Sequence, residues 1–190
     1  MTSTLLTPEK WSLDRYHQMI GEGRLEDCRV EMVEGDFVEM APVEPLHDDV
    51  REELTSYLRS MLGDRARVRE ATAVTLPNQS EPIPDIAVVR PQRYRDRHPQ
   101  VEDIYLLIEI ANSRPARDTE VKRLIYARAG ITDYWVFDLE KDELRVFRDV
   151  AGSGDGADYQ TDITWQDDAI SIQAFPEVVL SAVKMMQLIA

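Results

Sequence analysis

A chain of 190 residues, 43% of them hydrophobic and 31% charged, is expected to form one soluble globular domain over 1–190. Lone Cys28 excludes an intramolecular disulfide, no Cys/His cluster has zinc spacing, and no apolar run approaches the roughly 20 residues that cross a bilayer. The net charge of −14 argues against broad nucleic-acid binding, which needs clustered Lys and Arg. Only 65–128 is net positive, with twelve bases against nine acids. The first residues lack the basic region and apolar core of a secretory signal, so a cytoplasmic protein is expected.

In chain order, 7-TPEKWSLDRYHQMI-20 reads as a short amphipathic helix, with Thr7 as cap, Pro8 in the first turn and residues 13, 16, 19 and 20 as its apolar face. The alternating runs 28–33 and 37–41, joined by 34-EGD-36, predict an N-terminal β-hairpin. Val30, Met32, Val38 and Met40 would share its buried face, Glu31 and Glu39 would face water, and Glu34 lies at the turn. A helix follows over 46–62, with Leu46, Val50, Leu54, Tyr57, Leu58 and Met61 in one stripe and His47 beside it in the first turn. Residues 66–76 read as one or two strands, and alternation puts Arg65, Arg67 and Arg69 on one face.

The stretch 83-IPDIAVVR-90 is apolar on both sides and reads as a central strand, with Asp85, Ala87 and Val89 opposite Ile86 and Val88. The loop 91–103 interleaves Tyr94 with Arg93, Arg95 and Arg97, a composition that suits a solvated loop or a nucleic-acid backbone. Strand 104-IYLLIEIA-111 would set Ile104, Leu106, Ile108 and Ile110 against Tyr105, Leu107, Glu109 and Ala111. Asp118 then caps a helix in which Val121, Leu124, Ile125 and Ala129 face inward and Gly130 ends the run. A second hairpin (132–140 and 143–149), a Gly/Asp-rich loop at 151–158, short strands near 159–164 and 169–172, and a helix over 175–189 complete the chain.

An acid inside an apolar strand is costly unless paired, and here two neighbouring strands each hold one. Asp85 and Glu109, with the Ile110 carbonyl, offer hard oxygen ligands of the kind Mg²⁺ or Mn²⁺ prefers. Lys122 would reach in from the next helix to orient water or steady a phosphate, with Tyr126 four residues on along the same side. Each residue also has a plainer reading. Glu109 pairs with an arginine, Lys122 and Asp118 form a surface ion pair beside a core tyrosine, and His47 is a solvated helix start instead of a ligand, phosphate contact or proton carrier.

The segments 34-EGDFVEMAP-42 with His47, 82-PIPDIAVVRP-91, 106-LLIEIANSR-114 and 118-DTEVKRLIYARAGITDYWVFDL-139 resemble the Uma-two family of predicted restriction-type endonucleases over nearly the whole chain. The resemblance implies the PD-(D/E)XK superfamily and an α/β (α+β) fold, a mixed central sheet flanked by helices. It makes Asp85 the first acid and Glu109 the second. Ala111 stands where the parent pattern has lysine, and Lys122 is the family's usual substitute. His47 matches the histidine that opens the family's first core helix. The function expected is metal-dependent DNA cleavage with Mg²⁺ or Mn²⁺. Glu34, Asp118 and Tyr126 would support the site, and Arg67, Arg69, Arg93 and Arg95 would contact DNA. A catalytically silent module binding nucleic acid or protein on the same fold is the alternative. Surface left over on the hairpin and the C-terminal helix suggests a homodimer.

Overall fold

A computed structural model describes residues 10–26, 28–40, 42, 44–112 and 117–189, with only the backbone given for 117–119. Helix α1 (Leu13–Gly21) starts later than the sequence suggests, because Ser12 Oγ accepts the Arg15 N–H and caps it. Thr7 and Pro8 lie outside the described residues. Of the apolar face assigned to α1, Tyr16 is buried, whereas Ile20 is exposed.

Strands β1 (Val30–Val33) and β2 (Asp36–Glu39) form the expected hairpin, turning through Glu34 and Gly35 with φ of 47° and 81°. Gly35 is required twice over. Its φ is left-handed, and a Cβ there would come within 2.9 Å of Lys10 Cβ and 3.0 Å of the Trp11 carbonyl. The hairpin lies against 79–83 through the Glu81 N–H to Met32 carbonyl bond (2.7 Å), the Gly35 N–H to Gln79 carbonyl bond (3.0 Å) and the Glu34 N–H to Ser80 Oγ bond (2.8 Å). Packing against that segment covers both sides of β1. Met32 is buried as expected, and so is Glu31, which alternation had placed in water.

Helix α2 (Pro45–Leu62) carries Pro45 in its first turn, the place where a missing N–H costs nothing. Val50, Leu54, Tyr57, Leu58 and Leu62 are buried, while Leu46 is exposed at the helix start. After a single turn at 63–65 comes the six-stranded sheet, in the order β3 (Arg67–Glu70), β4 (Ile86–Val89), β5 (Ile104–Ala111), β6 (Asp133–Asp138), β7 (Glu143–Ala151) and β8 (Asp158–Thr164). Every neighbouring pair is antiparallel except β5 and β6, which run parallel. A parallel pair needs a crossover, here a π-helical turn at Arg117–Lys122 leading into α3 (Arg123–Ala129). Gly130, at φ 87°, ends that helix as its sequence position suggests. The extra residue per turn of a π-helix shifts the phase, and Val121, assigned inward from α-helical spacing, is 50% exposed.

One face of the sheet packs Ile86, Val88, Leu106, Ile108, Trp135 and Phe137 against α2 and the C-terminal segment. The other packs Ala87, Val89, Leu107, Tyr134 and Val136 against α3. A register break at Val88/Val89 pairs Val89 with Ile104 and reverses the alternation there. Ile104 therefore joins the α3 face and Tyr105 the opposite one, contrary to strict alternation. The predicted C-terminal helix is shorter than 175–189. Leu180–Ser181 (β10) pairs with Ala169–Ile170 (β9), and α4 spans Ala182–Ile189, capped by Ser181 Oγ accepting the Lys184 N–H at 3.0 Å.

Candidate active site

The site lies where β4 begins, in the gap between the first residues of α2 and α3. The β4–β5 pairing ends at Ile86 and Ile108, and the residues next along the two chains are Asp85 and Glu109. Asp85 is tied to the residue that follows Glu109. Asp85 Oδ2 accepts the Ile110 N–H at 2.7 Å, continuing the ladder where the β4 backbone has left it. In a strand, N–H and C=O of one residue point to the same side. The Ile110 carbonyl thus faces the Asp85 side of β5.

The other carboxylate oxygens are held from the helices. His47 Nε2 lies 3.1 Å from Asp85 Oδ1. Burial disfavours the imidazolium, but the hydrogen bond and charge of Asp85, opposed by Arg51 and helped by Asp48, raise the His47 pKa above its ordinary value. His47 Nδ1 is buried without a hydrogen-bond partner among the described residues. Glu109 Oε1 accepts from Lys122 Nζ at 2.8 Å and from Tyr126 Oη at 2.7 Å. Tyr126 is fully buried, and desolvation, then the charge of Glu109, push its phenol pKa well up, so it acts as a fixed donor.

Sequence reasoning missed Glu31. It is 5% exposed, its Oε2 accepts the Ile83 N–H at 3.2 Å and lies 3.9 Å from Lys122 Nζ. The available hint was Val33, which shares the Glu31 side of β1 and packs on the α3-side core. A face holding valine was never a plain solvent face.

Other expected site residues fall elsewhere. Glu34 pairs with Arg128 Nη1 through both oxygens, at 2.9 and 3.1 Å. The Asp118 side chain lies outside the described residues. Of the three arginines assigned to one face, Arg65 sits in the turn after α2 and donates to the Leu62 carbonyl, leaving Arg67 and Arg69 on the edge strand β3. Arg67 is exposed and donates to the Gln92 carbonyl at 3.3 Å. The Arg69 guanidinium lies 5.4 Å from the centre of the Tyr94 ring, and burial, then Arg67, lower its pKa. Arg93 and Arg95 are exposed. Arg97 is committed to Asp103 at 2.5 Å.

Among the described residues, no group of three or more His, Cys, Asp or Glu side chains has the spacing to hold a metal ion. Two carboxylates are nevertheless a fitting donor set for a hard divalent ion. Mg²⁺ is usually held by one or two protein carboxylates and keeps several waters. No helix among the described residues is long and apolar enough to cross a membrane.

A mixed six-stranded sheet flanked by helices carries both acids at one end. The chain belongs to the Uma2 family, whose model, described as "Putative restriction endonuclease", matches residues 13–183. A crystal structure described as "a putative nuclease belonging to DUF820" from Anabaena variabilis ATCC 29413 superposes with a TM-score of 0.65 at 17% identity, covering 85% of this chain and 91% of the other. That likeness speaks for the fold. No curated protein matches the chain.

Proposed function

We propose that the protein is a metal-dependent endonuclease that hydrolyses DNA phosphodiester bonds. The observation carrying this reading is the bond of Asp85 to the Ile110 N–H beside Glu109, with Lys122 on Glu109 and His47 on Asp85. Asp85, Glu109 and the Ile110 carbonyl would hold Mg²⁺ or Mn²⁺. When bound, such an ion supplies charge to the phosphate and makes a water more acidic. Lys122 orients that water or neutralises charge building on the phosphate. Tyr126 holds Glu109 in place. His47 fixes Asp85 and stands as a proton carrier near the leaving oxygen. Arg67, Arg69, Arg93 and Arg95 are the DNA contacts of this reading. It takes 1–190 as one domain acting in the cytoplasm as a homodimer, a state that sedimentation equilibrium measures.

The second reading is a silent module that binds nucleic acid or protein on the same fold. It is favoured by the net charge of −14 and by the commitment of Arg97 to Asp103. Cleavage of plasmid and single-stranded DNA with Mg²⁺ or Mn²⁺, beside Asp85→Asn and Glu109→Gln, separates the two. Metal-dependent nicking that disappears in both variants supports the nuclease. DNA binding without cleavage in the wild type supports the module.

A further inference from the structure

Glu31 reaches the site from an element outside the sheet. The hairpin is fixed to 79–83 by three bonds, and the Ile83 N–H binds Glu31 two residues before Asp85. The segment that positions Asp85 therefore positions Glu31 too. Burying a carboxylate costs several kcal/mol unless charge and hydrogen bonds offset it, and the cation facing it at 3.9 Å is Lys122. The Lys122 ammonium thus stands between two acids, nearer to Glu109 at 2.8 Å.

A divalent cation on Glu109 would draw on the same carboxylate charge that holds the Lys122 ammonium at 2.8 Å. An ion there would also repel the ammonium. We infer that Glu31 is the second anchor of Lys122, a positioning residue that keeps the ammonium in the site when Glu109 turns to a cation. The inference rests on the metal-dependent reading above. Glu31 is no ion ligand in it, in keeping with the lack of a three-acid metal group among the described residues.

The test is acetic anhydride labelling of Lys122 in the whole chain, read by peptide mass spectrometry with and without saturating Mg²⁺. Glu31→Gln keeps an acceptor for the Ile83 N–H and removes only the charge. Wild-type Lys122 stays protected in both states. The variant stays protected without Mg²⁺ and labels about tenfold faster with it, the scale of one lost charge-assisted contact. Because the contact counts more with the ion bound, calorimetry should show Mg²⁺ affinity in the variant lower by no more than about tenfold, and in the cleavage assay Glu31→Gln lowers kcat while KM for DNA holds.

Equal protection in the Mg²⁺-loaded variant overturns the inference, as does loss of Mg²⁺ binding in it, which would make Glu31 a ligand. An effect confined to KM also overturns it. If Glu31→Gln does not fold, the wild type decides: protection retained on adding Mg²⁺ supports the anchor, and exposure of Lys122 overturns it. Absence of Mg²⁺ binding by the wild type sinks the metal-dependent reading and this inference together, an outcome distinct from the others.

Discussion

Two regions of the sheet bury acids, and they do so in opposite ways. At β6, Asp133 is fully enclosed and saturated. Arg148 Nε donates to Oδ1 at 2.8 Å and Nη2 to Oδ2 at 3.2 Å, Trp135 Nε1 binds Oδ1 at 2.7 Å and the Gln173 N–H binds Oδ2 at 2.9 Å. Arg148 goes on to the Ser171 carbonyl at 2.6 Å, which ties β7 to the C-terminal segment. At the β4–β5 end, Glu109 and Glu31 share one lysine, and Asp85 pairs with His47. Burial of a carboxylate is common to both, so burial alone marks nothing. What separates a structural knot from a candidate site is whether an acid has its counter-charge to itself or shares it with another acid.

The sharpest test of that contrast is Asp85→Asn. It keeps an acceptor for the Ile110 N–H, so urea denaturation should show a stability change within about 1 kcal/mol. Metal-dependent cleavage should fall on the order of 10³-fold, or about 4 kcal/mol of barrier. A variant that loses stability and keeps activity would make the two regions alike. Arg148→Met is the mirror experiment, expected to cost about 3 kcal/mol in urea denaturation by stranding Asp133. Cleavage at temperatures where the variant stays folded should be unchanged.

The Arg148→Met loss also carries a pH signature. Burial first, against Arg148 and its other donors, raises the Asp133 pKa. A carboxyl whose folded pKa lies above its unfolded value contributes fully below the unfolded value and loses that contribution as pH rises through the folded one. Removing Arg148 raises the folded pKa further. The variant's deficit should therefore be larger at pH 7 than near pH 4, and an equal deficit at both would put Arg148's role in packing.

Smaller effects sharpen the picture. Tyr126→Phe removes one hydrogen bond to an ionised acceptor and should cost about 2 kcal/mol by urea denaturation, with cleavage reduced only a few-fold. At the other end of β5, Asp103 behaves oppositely to Asp133. Burial would raise its pKa, yet the hydrogen bonds from Arg97 and the Gln100 N–H, with the charge of Arg97, leave it lowered. Its contribution is present above the unfolded carboxyl pKa and lost as pH falls through the lower folded value. Arg97→Met should move the acid-unfolding midpoint upward by a fraction of a pH unit, read by circular dichroism.

Much of this was legible in the chain. The acids in strands 83–90 and 104–111 stand out because an apolar strand does not tolerate them cheaply, and spacing of four residues joined Lys122 to Tyr126. Both in fact meet on Glu109 Oε1. Illegible features were those set by long-range packing. Glu31 is buried because 79–83, about fifty residues further along the chain, lies along β1, and Val33 is the one local hint of it. Ile104 changed faces because of a register break that alternation cannot foresee. The Arg65, Arg67 and Arg69 stripe failed at Arg65 because the strand starts two residues later.

The π-helical turn at Arg117–Lys122 has one further implication, for insertions and deletions. Such a turn holds one residue more than an α-helix needs, so losing one residue ahead of Lys122 would let the segment relax to ordinary helical winding. Everything upstream would then rotate by about 100° and advance about 1.5 Å relative to α3. Lys122 and Tyr126, downstream of most of that turn, would keep their places on Glu109. Chain length in this crossover is thus a tuning element for the rim of the site, adjustable by single residues without disturbing the acids beneath it.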